Sequence, residues 1–311
     1  MLTHDELKTL GRASDLHGWV AVGLDWAAVA ALFALPVLVP HPLVTLAAMF
    51  LMARQQLALA ILMHEAAHKR LFASTPLNEY GGQLFTAAAI VFSMPVYRRL
   101  HLKHHRIPLQ DDDPDLSLIG GYPIDGGSFR RKLLRDISGV SYFKFLAYFV
   151  RGALSFRKRD RAAADAGGTP PGDTSKVPSW FIFASILAVH GAMLGTLVAT
   201  GHGWLYVVLW WVPLMTVLQL LLRIRGITEH AGYAPSADQR LCSRTVVNPL
   251  ETFVFAPHCV AFHIEHHLHP GVPFFNLPRV HGLLRGRGAL PEANVYTSYR
   301  AVLRDLVIQP A

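Results

Sequence analysis

The sequence predicts an all-α integral membrane protein: four transmembrane helices in two hairpins, capped by a cytoplasmic helical domain that holds a metal site. Three observations lead there. Hydrophobic residues make up 52% of the 311 and charged residues only 16%, a balance wrong for a water-soluble chain. Four apolar runs, Val20 to Pro40, Leu43 to Met63, Trp180 to Thr200 and Trp204 to Leu222, each hold about the twenty residues needed to cross roughly 30 Å of hydrocarbon. Outside them, eight histidines fall in three short clusters: His64-Glu-Ala-Ala-His68, His101-Leu-Lys-His104-His105 and His263-Ile-Glu-His266-His267.

Taken in order, residues 1–18 form a polar, amphipathic start expected at the membrane interface. They lack a basic n-region and a small-residue cleavage site, so they do not read as a removable signal peptide. Residues 19–156 hold the first hairpin, closed at Pro40-His-Pro42, and the first two histidine clusters. Within them, Tyr80 to Val96 and Ile137 to Val150 are apolar but short, and are expected to lie in or dip into the interface. A Gly, Pro and charge-rich linker occupies 157–178. The second hairpin, 179–222, turns at Thr200-Gly-His-Gly203, and residues 223–311 form a cytoplasmic tail with the third cluster.

The net charge of +8 is unevenly spread: Arg98-Arg99, Lys103, Arg106, Arg130-Arg131-Lys132, Arg157-Lys158-Arg159, Arg223 and Arg225 share one side of this topology. Neither tight connection contains Lys or Arg, so the positive-inside rule places both termini and all three clusters in the cytoplasm. The basic face suits anionic lipid headgroups and an acidic electron-donor protein; nucleic acid is not expected. Cys242 and Cys259 form no Cys-x-x-Cys pair, which implies neither an iron-sulfur centre nor a disulfide framework.

Spacings of i, i+4 and of i, i+3, i+4 put the imidazoles of each cluster on one helical face, so three helices can surround a common centre. Eight imidazoles exceed what one ion takes, and a pair of ions is the economical reading. An all-nitrogen shell suits iron as well as zinc. Iron pairs can make the strong oxidant from O2 that attack on an unactivated C–H bond requires. A rival reading takes His64-Glu65-Ala-Ala-His68 as the H-E-x-x-H motif of a zinc metalloprotease, with Glu65 activating water; it leaves the second and third clusters unexplained.

The boxes H-x3-H, H-x2-HH and H-x2-HH, in this order, resemble those of the membrane-bound fatty acid desaturase superfamily. Asp112-Asp-Pro-Asp115, Arg225-Gly-Ile-Thr-Glu-His230-Ala-Gly232 and the run from Phe262 to Arg279 are similar to bacterial members, over roughly Leu43 to His281. The resemblance implies two irons held by His64, His68, His101, His104, His105, His263, His266, His267 and a ninth histidine, His230, whose context is also similar to alkane hydroxylases. It further implies O2 as co-substrate, a fatty acyl or other lipid substrate, and electrons from a separate ferredoxin, rubredoxin or cytochrome-type protein. Acyl desaturation is the favoured reaction; hydroxylation and oxidative, alkene-forming decarboxylation begin with the same hydrogen abstraction.

Ligating imidazoles usually give their second N–H to a carboxylate. Asp112, Asp113, Asp115, Glu229 and Glu265 are the candidates, with Glu65 beside them. Arg54 is expensive in hydrocarbon and is expected to line the acyl tunnel or to pair with Asp25. His269 stands where the family usually has an aromatic residue, and is read as tolerated there.

Overall fold

The computed structural model describes residues 1–165, 175, 177–234 and 239–308. Among them, four helices are long and apolar enough to cross a membrane: Asp15–Leu38, Pro42–Ala67, Ser179–Ala199 and Tyr206–His230. They coincide with the four expected runs. The last extends eight residues beyond Leu222, so His230 ends the spanning helix itself.

The chain opens with α1 (His4–Leu10), started by a reciprocal capping box between Thr3 and Glu6. Ser14 caps α2 (Asp15–Leu38), and His41 caps α3 (Pro42–Ala67), whose proline sits where a missing N–H costs nothing. The 26 residues of α3 span about 39 Å. This helix is the centre of the bundle: Ala48, Met52, Ala53, Leu57, Ala58 and Leu59 are fully buried. On α2, by contrast, Leu16, Val20, Leu24 and Leu38 face outward. So do Trp180, Phe183, Leu187 and Val198, as befits an apolar surface bathed in lipid.

The stretch expected at the interface is instead buried. It forms two widened turns, Leu77–Gly81 and Gln83–Ala87, packed against α3, with Gln83, Thr86, Ala87, Ala88 and Ala89 fully enclosed. Its irregular carbonyls find protein donors: Trp26 Nε1 bonds Phe85 O at 2.8 Å and Trp210 Nε1 bonds Ala89 O at 3.1 Å. Non-helical backbone at membrane depth is tolerated only when satisfied in this way. Close approach requires glycine here, because a Cβ on Gly82 would stand 2.5 Å from that of Ala66.

Next come α4 (Met94–Arg106), α5 (Leu116–Ile119), α6 (Gly126–Ile137) and α7 (Val140–Asp165). The expected short segment 137–150 begins at the end of α6, and α7 carries the rest of it on to Asp165, through the start of the expected linker. The rest of that linker, 166–174 and 176, lies outside the described residues. The third span is α8 (Ser179–Ala199), and the fourth breaks at Thr216 into a widened turn, Tyr206–Trp211, then α9 (Val212–Met215) and α10 (Val217–His230). Buried Trp210 packs it against Val29, Phe33, Ala48 and Met52 of the first two spans.

Beyond α10, α11 (Pro249–Phe255), α12 (His263–Leu268), α13 (Leu277–Gly286) and α14 (Tyr299–Leu306) fold back on the bundle. Two short parallel ladders pin them: β1 (Ile124–Asp125) with β4 (Val307–Ile308), and β2 (Thr245–Val246) with β3 (Val295–Tyr296). The start of the chain is docked here. Leu2 and Leu10 share a core with Ile264, Val272, Leu277, Val280 and Leu284. Arg287 grips Glu6, Asn276 bonds Leu10 O, and Arg70 bonds Gly11 O.

Several expected surface cations are also consumed internally. Arg98 is fully buried against Glu79, Arg223 pairs with buried Asp136, and Arg225 lies 2.8 Å from Glu229 one turn along α10. The basic face is correspondingly smaller than the sequence suggests.

Candidate metal centre

Four helix ends converge. The C-terminus of α3 brings His64 and His68, α4 brings His101, His104 and His105, α10 ends in His230, and α12 brings His263, His266 and His267. All nine side chains predicted to bind metal meet in two adjoining groups, not around one point. In the first, ligand atoms of His64, His68, His101, His105 and His266 lie within 4.8 Å of one another. In the second, His104, His230 and His267 do so, and His263 joins through His230. Helical geometry does the sorting: the i, i+4 pair His101 and His105 faces the first group while His104 faces the second, and in α12 the pair His263 and His267 faces the second while His266 faces the first.

The imidazoles present Nε2 inward. His68 and His101 approach to 2.9 Å through these atoms, His105 and His266 to 3.1 Å, His104 and His230 to 3.2 Å, and His230 and His263 to 2.8 Å. Nε2 of His64 and of His267 is buried with no hydrogen-bond partner among the described residues. So many lone-pair-bearing nitrogens crowded together without donors is a donor set suited to cations. Burial lowers His68 to about 3, and burial followed by the neighbouring imidazoles holds His101, His105, His263, His266 and His267 well below the usual histidine value. These rings are therefore neutral, the form that ligates. His104 differs: burial lowers it, but the carboxylates of Asp113, Asp115 and Glu229 together outweigh that and raise it.

The carboxylates divide by position. Asp113 lies behind His104, with Oδ1 2.9 Å from Nδ1, and also accepts the backbone N–H groups of Leu109 and Asp115. Asp115 stands further off, 3.7 Å from the same nitrogen. Asp112 points away, exposed, 3.7 Å from Lys103. Glu265 reaches no box imidazole: it accepts from Thr245 Oγ1 and lies 2.6 Å from His281 Nδ1, fastening α12 to its supports. Glu229 stands between Arg225 and His263, with Oε2 3.6 Å from His263 Nε2.

Glu65 lies 3.1 Å from His64 Nδ1, and its other oxygen accepts the N–H of Phe274. Both oxygens are engaged in holding structure, which removes Glu65 as the water-activating base of a protease. Arg54 does not pair with Asp25: its Nε donates to Phe253 O at 2.9 Å, whereas Asp25 lies 2.8 Å from His258 Nε2. Arg54 does line a cleft of about 390 Å³ that includes Phe253, Cys259 and Phe262. His269 turns away from both groups into a separate cleft with Lys8 and Arg70.

Sequence reasoning missed two supports. The carbonyl of Cys242 lies 2.8 Å from His230 Nδ1, and a backbone acceptor leaves no signature in a sequence. Arg98, read as a surface cation, gives Nε to Ala67 O at 2.8 Å and Nη2 to Ala66 O at 3.0 Å, bracing the end of the first box from the helix that carries the second. Its place directly after the apolar run Tyr80 to Val96 was the available clue.

The fatty acid desaturase family model matches residues 40–301. The chain belongs to this family. As a fatty acid desaturase family member it is an oxidoreductase, and the family is generally iron-dependent. Its similarity to individual proteins is lower and mixed. It is 26% identical to the dihydrorhizobitoxine desaturase of Bradyrhizobium elkanii, over 86% of this chain and 74% of that one. It is 24% identical to the beta-carotene ketolase of Paracoccus sp. (strain PC1), over 77% and 80%, and 23% identical to that of Paracoccus sp. (strain N81106 / MBIC 01143), over 76% and 79%.

Proposed function

We propose that this family member is an O2-dependent desaturase that introduces a double bond into a fatty acyl chain. Its two irons are held by His64, His68, His101, His105 and His266 on one side and by His104, His230, His263 and His267 on the other. The observation that carries this is the convergence of nine imidazoles in two groups where an apolar bundle ends. Iron bound there supplies the oxidising power, drawn from O2, that an unactivated C–H bond demands. In balance, –CH2–CH2–, O2, two electrons and two protons give –CH=CH– and two waters. The chain's own groups fix the ligands: Glu65, Asp113 and the Cys242 carbonyl hold Nδ1 of His64, His104 and His230. The apolar body of the substrate enters from the bilayer, and the cleft beside Arg54, whose lining includes Phe262, the residue before His263, is the proposed approach.

The spans form two hairpins in the bacterial inner membrane, with the termini and the histidine cap in the cytoplasm. Electrons come from a separate carrier of ferredoxin, rubredoxin or cytochrome type. Two of the three relatives are ketolases, which favours oxygen insertion into a C–H bond as the second reading. Gas chromatography with mass spectrometry of lipids from cells co-expressing the chain and a donor separates the two. New double bonds, absent with His267→Ala, are expected; hydroxylated or oxo products in their place would reassign the reaction to oxygenation.

A further inference from the structure

We propose that Glu229 is itself a metal ligand, completing the second group as four imidazoles and one carboxylate; the proposal rests on the two-ion reading above. The two groups are unequal as built from histidine alone: five imidazoles fall together in the first and three in the second, and His263 comes in only through a set it shares with His230 and Glu229. The carboxylates that merely steady a ligand approach it from the rear: Glu65 meets His64 at Nδ1, 3.1 Å away, and Asp113 meets His104 at Nδ1, 2.9 Å away. Glu229 approaches from the front. Its Oε2 lies 3.6 Å from Nε2 of His263, the edge that the imidazoles turn inward.

A carboxylate oxygen of Glu229 and the ligating nitrogens of His230 and His263 all lie within 4.8 Å of one another. Metal–nitrogen and metal–oxygen bonds of roughly 2.0–2.2 Å give spacings of that order between donors of one ion. Glu229 is 6% exposed, and the guanidinium of Arg225, one helical turn earlier, lies 2.8 Å from Oε1. That leaves Oε2 to face the imidazoles. A buried dication surrounded only by neutral rings is poorly compensated, and one anionic donor in the shell reduces that cost. The two ions are then chemically distinct, one in a neutral nitrogen shell and one with a carboxylate.

The test uses the full chain, purified in detergent and loaded anaerobically with Fe(II), and reads iron per chain together with the Mössbauer spectrum. The wild type is expected to hold two irons in two different environments. Glu229→Gln is expected to fall to one, losing one of the two signals, while Arg225→Gln, which breaks the ion pair but keeps the carboxylate, retains two. Glu229→Gln with two irons and an unchanged spectrum would overturn the proposal. So would Arg225→Gln losing iron to the same extent, since the ion pair and not ligation would then be at work. A wild type holding fewer than two irons would instead defeat the two-ion reading itself. If Glu229→Gln yields no folded protein, infrared difference spectra of the wild type with 13C-glutamate decide: an isotope-sensitive carboxylate shift on iron loading supports ligation, and no shift overturns it.

Discussion

Asp113 carries more of the second group than its place in a short acidic run suggests. Asp112, Asp113 and Asp115 are equivalent candidates by sequence, yet only Asp113 is buried, and it meets His104 as well as two backbone N–H groups. Removing the partner of a ligand's second N–H typically costs 10–100-fold in metal affinity or activity. Asp113→Asn is therefore expected to lose iron to a chelator at concentrations about 10–100-fold lower than the wild type requires. Asp112→Asn, altering an exposed side chain that faces Lys103, is expected to match the wild type in the same titration. The histidines themselves were legible because their spacing repeats a helical face. Which carboxylate serves which ring was not, since that depends on how the loop after α4 turns.

Among the elements, the joint between α3 and α4 bears the most. The guanidinium of Arg98 spans the last carbonyls of α3 and the carboxylate of Glu79, which also accepts from Ser175. Breaking one side of such a buried pair typically costs about 3–5 kcal/mol, because the remaining charge is stranded. Arg98→Met is expected to destabilise the protein by about that much in thermal or denaturant unfolding in detergent, and Glu79→Gln by less, since it leaves a hydrogen-bonding group in place. Beside this joint, Gly82→Ala would drive a methyl into Ala66 and is expected to cost about 1–3 kcal/mol by the same measurement. The four spans could be read from length and hydropathy alone. The buried segment after the first box could not, because its apolar run fits an interfacial helix equally well. What admits it to the interior is a set of donors, Trp26, Trp210 and His190, contributed from remote positions.

For the whole molecule, the arrangement of spans fixes what each side of the membrane meets. The short connections around His41 and His202 are expected on the face opposite the histidine groups, with Asp112 on the same side as those groups. In a background lacking Cys242 and Cys259, single cysteines at His41 and His202 are expected to react with an impermeant thiol reagent added outside intact cells, and one at Asp112 only after lysis. The reverse pattern would invert the proposed topology. Charge counting is the ground for this proposed sidedness, but it overstated the basic face, because Arg98, Arg223 and Arg225 spend their charge on buried acids. A cation that balances a carboxylate inside the fold looks the same in sequence as one that greets a headgroup.

The docking of α1 beneath α12 and α13 also sets an order of assembly. Helix α1 leaves the ribosome about 250 residues ahead of the segment that covers Leu2 and Leu10, from Ile264 to Leu290. His266, which closes the five-imidazole group, arrives with them. Until α12 has been made, Leu2 and Leu10 lack their cover and the five-imidazole group lacks one of its members.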